Sequence, residues 1–181
     1  GTNTFAGNAF GFYRADSLRE QGELEQGGTD YSRSQFGFAF GGPIRTDQTH
    51  FYLSGEQIDE DNVSFFRSGG AFAPQARDVA HPFEQTLGFG KLDHRLNDAN
   101  TLAANFVYER YREENFRVGG IADVSYGQEL QRDNWNVTLE DIAVLGTKGL
   151  NELRLQGGKR KFFEPLNSRA TAEWFSSGNT L

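Results

Sequence analysis

Apolar and polar positions alternate with a period of two in seven separate stretches of the chain. The stretch around which the others are organised is Gln35 to Gln57, reading QFGFAFGGPIRTDQTHFYLSGEQ. Phe36, Phe38 and Phe40 alternate with Gly37, Ala39 and Gly41, so an extended backbone sends three aromatic rings from one face and almost nothing from the other. The run breaks at Gly42-Pro43, turns through Arg45-Thr46-Asp47-Gln48 and restarts at Thr49, which predicts an antiparallel hairpin. The same reading gives strands over 4–14, 35–43, 49–58, 85–96, 101–113, 133–146 and 151–163. In the fifth, Leu102, Ala104, Phe106 and Tyr108 oppose Ala103, Asn105, Val107 and Glu109. In the sixth, Trp135, Val137 and Leu139 oppose Asn136, Thr138 and Glu140. In the last, Leu153 and Leu155 oppose Glu152, Arg154 and Gln156.

The connections have a rhythm of their own. Ala15 to Ser34, Asp59 to Glu84 and Asn115 to Gln131 show neither the strand nor the helix period and read as long polar loops. Thr46, Asn97-Asp98-Ala99-Asn100 and Lys148-Gly149 mark short turns, and Ser168 to Leu181 reads as a further loop. Long and short connections therefore alternate. A soluble sandwich has no reason to keep that order, whereas a membrane barrel has short periplasmic turns and long external loops. On this reading Thr46, Asn97 and Gly149 lie at the periplasmic rim, and Glu23, Phe72 and Gly120 lie in loops outside the cell. The fold class expected is all-β, with antiparallel up-and-down strands forming part of an outer-membrane β-barrel. Seven strands are an odd number, and bacterial single-chain barrels close with an even one. The piece is thus expected to be the first part of a larger wall, with edges that mispair in isolation.

Composition changes this picture little. A mean hydropathy of -0.63 resembles a soluble protein, and no run approaches the roughly 18 apolar residues of a membrane-spanning helix. Neither observation bears on a barrel, whose strands alternate lipid-facing with lumen-facing residues. Aromatic residues make up 14% of the chain, 17 of them Phe, which suits an outward apolar band. A net charge of -7 argues against nucleic acid as partner. With Cys 0 and Met 0 in 181 residues, disulfide and thiol chemistry are excluded, and a chain beginning at Gly1 without Met reads as a fragment or a processed piece. No secretory signal pattern occupies Gly1 to Phe12.

Two motifs carry a family resemblance. The segment FGGPIRTDQTHFYLSGEQ resembles the Q-F-G-x-x-x-G-G-P-I-x-x-D-K-T-F-F-F-x-x-Y-E stretch near the start of the barrel in TonB-dependent outer-membrane receptors of the Oar-like class. The opening GTNTFAGNAFGFYRAD is similar to that class's S-G-T-N-x-F-H-G-x-x-F-E-F-x-R-N-D, which follows the plug domain. Ala6 stands where His is usual, and His50 intervenes after Thr49. LGFGKLDHRLNDANTLAANFVYERY resembles a down strand, a turn and an up strand, so the likeness spans Gly1 to Tyr111. The resemblance implies active uptake of a bulky substrate of siderophore, oligosaccharide or peptide type, in the bacterial outer membrane. External loops would bind an unidentified ligand, a plug domain would block the lumen, and energy would arrive through the TonB complex by a segment outside this chain. The expected partners are outer-membrane lipid, the plug, the remaining barrel strands and TonB. Adhesion or protein export through the same barrel is the second reading. The third is a soluble secreted β-sandwich that binds polysaccharide through exposed Phe65, Phe66, Phe72 and Trp174.

Face assignments follow from the alternation together with this likeness. Phe36, Phe38, Phe40, Phe106, Trp135, Leu139, Leu153 and Leu155 are expected to meet lipid. Glu56, Lys91, Asp93, Asn105, Glu109, Asn136, Thr138, Glu140 and Arg154 are expected to line the lumen.

Catalytic chemistry has no comparable signal. His50, His81 and His94 show no metal-ligand spacing. Asp59-Glu60-Asp61 lacks the pattern of a calcium loop and reads as a solvated acidic loop. Gly88-Phe89-Gly90-Lys91 lacks the Ser or Thr and the spaced Gly of a P-loop. Asn62-Val63-Ser64 and Asn136-Val137-Thr138 fit the glycosylation triplet only as short patterns do by chance. No nucleophile sits with a base. No enzyme activity, metal or cofactor is expected.

Overall fold

The computed structural model describes residues 2–18, 31–67, 69 and 75–168. Nine strands are present among them: β1 (Ala6–Ala15), β2 (Ser32–Arg45), β3 (Thr49–Asp61), β4 (Val63–Phe66), β5 (Arg77–Ala80), β6 (Phe83–Arg95), β7 (Asn100–Phe116), β8 (Gln128–Leu145) and β9 (Gly149–Phe163). Seven of them form one antiparallel sheet in the order β1-β2-β3-β6-β7-β8-β9, and β4-β5 form a small sheet of their own. Each large-sheet strand pairs with the next large-sheet strand along the chain, so the sheet is an up-and-down meander. All seven sequence-predicted strands are present, most of them longer than the alternation indicated.

The short turns have the chemistry their geometry demands. In the β2–β3 turn Gln48 N–H donates to the Arg45 carbonyl at 3.0 Å, and Asp47 takes the left-handed conformation, φ 59°, which Asp tolerates better than most residues. A bulge between Pro43 and Arg45 absorbs the extra residue. In the β6–β7 turn the Asn97 side chain accepts from Ala99 N–H at 2.8 Å, an Asx-type closure.

The turns are staggered. Thr49, His94, Leu102, Asp141 and Leu153 pair across five strands in one row, yet β9 continues four residues past that row, to Gly149. A sheet whose strands tilt relative to a barrel axis must step its rim in this way.

Several connections differ from the expected loops. Asp59, Glu60 and Asp61 are not a solvated loop: they end β3 and pair with Ser34, Arg33 and Ser32 of β2. Pairing sends alternate side chains to opposite faces, so the three carboxylates cannot converge on one cation. Val63 to Glu84 is likewise not a single loop, because β4 and β5 form a hairpin within it and β6 begins at Phe83. β8 begins at Gln128, inside the third expected loop, after a short 3-10 turn at Val124–Tyr126. The positions of Glu23, Phe72 and Trp174 lie outside the described residues.

The buried cluster is not in the large sheet, although Ile58 of β3 and Leu130 of β8 are also buried. Phe66, fully buried, packs with Val79, Val118 and the half-buried Val124, all from the long connections. By contrast, the strands carry exposed large apolar side chains along their length. Backbone bonds stitch the connections together: Arg67 N–H donates to the Gly120 carbonyl at 2.7 Å and Gly120 N–H to the Phe65 carbonyl at 2.9 Å. Gly119 and Gly120 hold φ of 130° and 58°, values that glycine accepts without a Cβ penalty. Asn115 Nδ2 donates to the Ala80 carbonyl at 2.7 Å, Arg77 pairs with Asp123, and Asn167 N–H donates to the Gly127 carbonyl at 2.9 Å. The result is a small folded cap at the long-connection end. Since Phe66 is part of its core, the sandwich reading, which needs that ring exposed, is overturned at this position. No second sheet covers the large one among the described residues.

Candidate functional site

The pairing register sorts every strand residue onto one of two faces. Directly opposed residues share a face, and alternate residues along a strand change face. Starting from Phe38, which opposes Ala9 and Gly55, the first face collects Phe36, Phe38, Phe40, Phe106, Trp135, Leu139, Leu153 and Leu155. All eight residues expected to share an apolar face do share one. Starting from Glu56, which opposes Gly37 and Leu87, the second face collects Lys91, Asp93, Asn105, Glu109, Asn136, Thr138, Glu140 and Arg154. The nine expected polar residues therefore occupy the opposite face together.

The second face is a connected polar network. Gln35 Nε2 donates to Glu56 at 2.6 Å, and Gln85 and Asn134 both donate to Glu109, at 3.2 and 2.7 Å. Lys91 pairs with Asp93 at 3.1 Å, and Arg154 pairs with Glu140 and Glu152 at 3.0 Å. Toward the long connections, Arg33 pairs with Glu60 at 2.6 Å. Tyr111 donates its hydroxyl to Glu113 at 2.6 Å, and His81 contacts the same carboxylate at 2.6 Å and Ser64 Oγ at 2.7 Å. Arg132 lies over the Tyr111 ring, 4.4 Å from its centroid, and Phe83 stacks on that ring at 5.7 Å. Fixed donors, acceptors and aromatic planes are thus gathered on one face. Among them Ser64 Oγ, His81 and Glu113 stand in hydroxyl-imidazole-carboxylate order within hydrogen-bond reach, a grouping that the sequence reading did not anticipate.

Aromatic residues on the polar face escaped the sequence reading. Phe10 and Phe12 meet at 5.7 Å, and Tyr52 and Phe89 at 5.9 Å, all on the same face as Glu56. Their signal was parity: Phe10 opposes Gly37, so it belongs with the glycines of the QFGFAFGG run and not with its phenylalanines. A Cβ at Gly37 would lie 2.6 Å from the Phe10 ring and 2.9 Å from the Gly55 carbonyl oxygen, which explains why that position carries no side chain.

The two motifs singled out above touch each other. Asn3 bonds the Asp47 carboxylate, accepts from Asp47 N–H at 2.9 Å and contacts His50 Nε2 at 2.9 Å. The Phe5 ring stacks on Phe40 at 5.8 Å and approaches Phe51 at 6.4 Å. It also fills the space where a Cβ on Gly42 would stand. The opening segment is thereby pinned to the first short turn. The remaining histidine, His94, bonds Thr49 Oγ1 at 2.8 Å.

A family model for an outer membrane beta barrel domain matches residues 1–78, the region that contains both motifs. No characterised protein and no solved structure matches the chain. With this match and an all-antiparallel sheet, the chain is part of an outer-membrane β-barrel, and its location is the bacterial outer membrane.

Proposed function

We propose that the chain is the first part of the barrel wall of a TonB-dependent receptor of the Oar-like class, which takes up a bulky solute across the outer membrane. The observation that carries the barrel orientation is the complete segregation of eight apolar and nine polar positions onto opposite faces of a staggered sheet. The apolar face meets lipid and the polar face lines the lumen. Among the described residues no strand pairs with the outer edge of β1 or of β9, and β9 is exposed along its whole length, which supports further strands completing the wall. The class assignment rests on the resemblance of the two motifs, and their mutual docking gives them a shared role: they anchor the start of the wall at its short-turn rim. The lumen network supports solute binding.

The test uses the complete gene product in its native host. Accumulation of labelled ferric siderophores, oligosaccharides and peptides is compared in the wild type, in a strain lacking this gene and in a strain lacking TonB. Uptake of one class that needs both genes is the expected result. Uptake that needs this gene but not TonB would contradict the receptor assignment and indicate a passive pore. Unchanged import with loss of a secreted protein would indicate export.

A further inference from the structure

The join between the cap and the wall brings together side chains from separate elements. Ser64 lies in β4, His81 follows β5, and Glu113 lies in β7. Ser64 Oγ is 2.7 Å from His81 Nδ1, and His81 Nε2 is 2.6 Å from Glu113 Oε1. The other carboxylate oxygen, Oε2, accepts the Tyr111 hydroxyl at 2.6 Å. The proton positions follow from what each group can do. A phenol donates at neutral pH and an ionised carboxylate only accepts, so Glu113 receives the Tyr111 proton on one oxygen and His81 Nε2–H on the other. A neutral imidazole carries one N–H, which leaves Nδ1 as the acceptor for the Ser64 hydroxyl. In this tautomer the imidazole can take the serine proton while the carboxylate stabilises the imidazolium that forms.

The backbone fixes the base in place. His81 N–H donates to the Asn62 carbonyl at 2.7 Å, the Ala80 carbonyl accepts from Asn115 Nδ2 at 2.7 Å, and the Pro82 carbonyl accepts from Glu114 N–H at 3.0 Å. Pairing of Phe83 with Glu113 in the β6–β7 ladder holds the carboxylate. Asn115 and Glu114 already tie this connection to β7, so the hydroxyl-imidazole-carboxylate chain is not needed as a tie. Exposure is graded in the sense that nucleophilic attack requires: the His81 side chain is 21% exposed and the Glu113 side chain 14%. Ser64 is half-buried. Beside its hydroxyl stands Gly119, where a Cβ would lie 3.7 Å from Ser64 Cβ and 3.9 Å from Ser64 Oγ. That flank of the nucleophile carries no side chain and suits a small acyl group.

We infer that Ser64, His81 and Glu113 form a hydrolytic site for short acyl esters of hydroxylated solutes. The inference goes beyond the uptake reading and does not depend on the class of the barrel. Glu113 shares its face with Glu56 and Glu109, so the site adjoins the polar face, which suits the alcohol part of such an ester. Ser64 Oγ attacks the ester carbonyl carbon and its proton passes to His81 Nδ1. The bond from that carbon to the alcohol oxygen breaks, and His81 gives the proton to the departing alcohol. Water then attacks the acyl-serine, loses a proton to Nδ1, and releases the acid as the proton returns to Ser64. Ester and water become acid and alcohol. Glu113 and Tyr111 are positioning residues in this scheme, one holding the imidazole and the other holding the carboxylate.

The experiment treats the complete protein, purified in neutral detergent, with an alkyl fluorophosphonate and locates the adduct by peptide mass spectrometry. A serine activated by a base forms an O–P bond, expels fluoride and gives its proton to the base. The adduct should sit on Ser64, and Ser64→Ala should abolish both it and the hydrolysis of p-nitrophenyl acetate. His81→Gln should slow both reactions on the order of 10²–10⁴-fold, the usual worth of a general base. Ser54→Ala, a serine of β3 outside the site, should behave as wild type does. Glu113→Asp, which keeps the carboxylate, should retain more of the rate than Glu113→Gln, which keeps the shape, and the reverse order would reduce Glu113 to a spacer and overturn its role. An adduct on Ser64 that forms as fast in His81→Gln overturns the proposal, as does ester hydrolysis that survives Ser64→Ala. An adduct without any ester hydrolysis overturns the hydrolytic activity. Should His81→Gln unfold the cap, seen as lost hydrogen-exchange protection in β4 and β5, wild type alone decides. Labelling of its Ser64 no faster than that of its other serines, or undiminished after denaturation, also overturns the proposal.

Discussion

The large sheet and the cap are built from the same residue types under opposite rules. In the cap, Phe66 is fully enclosed by Val79, Val118 and Val124, as a side chain is in any water-soluble core, and burial of such a ring is worth about 1.5–3 kcal/mol. In the sheet, Phe36, Phe38 and Phe106 remain about half exposed, at 57%, 52% and 45%, and no second protein layer covers them among the described residues. The proposed orientation accounts for the difference: the cap stands in water and must make its own interior, whereas the outward face of the sheet takes lipid as its interior.

The largest expected effect breaks the cap alone. Phe66→Ala should destabilise it by about 3–5 kcal/mol, the usual result of emptying a sealed aromatic site. Hydrogen exchange should show β4 and β5 opening while the seven-stranded sheet keeps its protection. Phe106→Arg should act on the sheet alone, at about 2–4 kcal/mol for a charge near the bilayer midplane. The folded fraction after refolding into vesicles measures it, and Phe38→Arg should behave in the same way. Smaller again is Gly37→Val, at about 1–3 kcal/mol from overpacking. The Gly55 carbonyl oxygen leaves the new side chain no room even if the Phe10 ring moves, and denaturant midpoints of the vesicle-inserted protein should fall accordingly. The smallest effect is expected from Lys91→Gln. A partly exposed ion pair contributes about 1 kcal/mol or less, so the same denaturation curve should barely move.

The sequence made the sheet legible because a strand with one apolar and one polar face writes a period of two directly into the chain. Leu102 to Glu109 shows this most clearly, and all seven strands were found in that way. The cap left no such record. Val63 to Phe66 and Arg77 to Ala80 are four-residue strands, too short to establish a period, and their partner Val118 is far along the chain. Asp59 to Asp61 read as a loop because charge density masked the alternation, although in β3 it is one end of the same pattern. The face lists came out complete for polar and apolar residues that follow the pattern. Phe10, Tyr52 and Phe89 were missed because an aromatic ring on a polar face runs against it, and only the pairing partners reveal the side on which each ring lies.

The most direct test of the central claim exploits the absence of cysteine from the chain. Single cysteines are placed at each position from Leu102 to Glu109 in the complete protein and probed in intact outer membranes with a lipid-soluble and a water-soluble maleimide. Reactivity should alternate residue by residue: Leu102, Ala104, Phe106 and Tyr108 should react with the lipid-soluble reagent, and Ala103, Asn105, Val107 and Glu109 with the water-soluble one. Uniform reaction of all eight positions with the water-soluble reagent would contradict the account, because it would place water on both faces of the sheet.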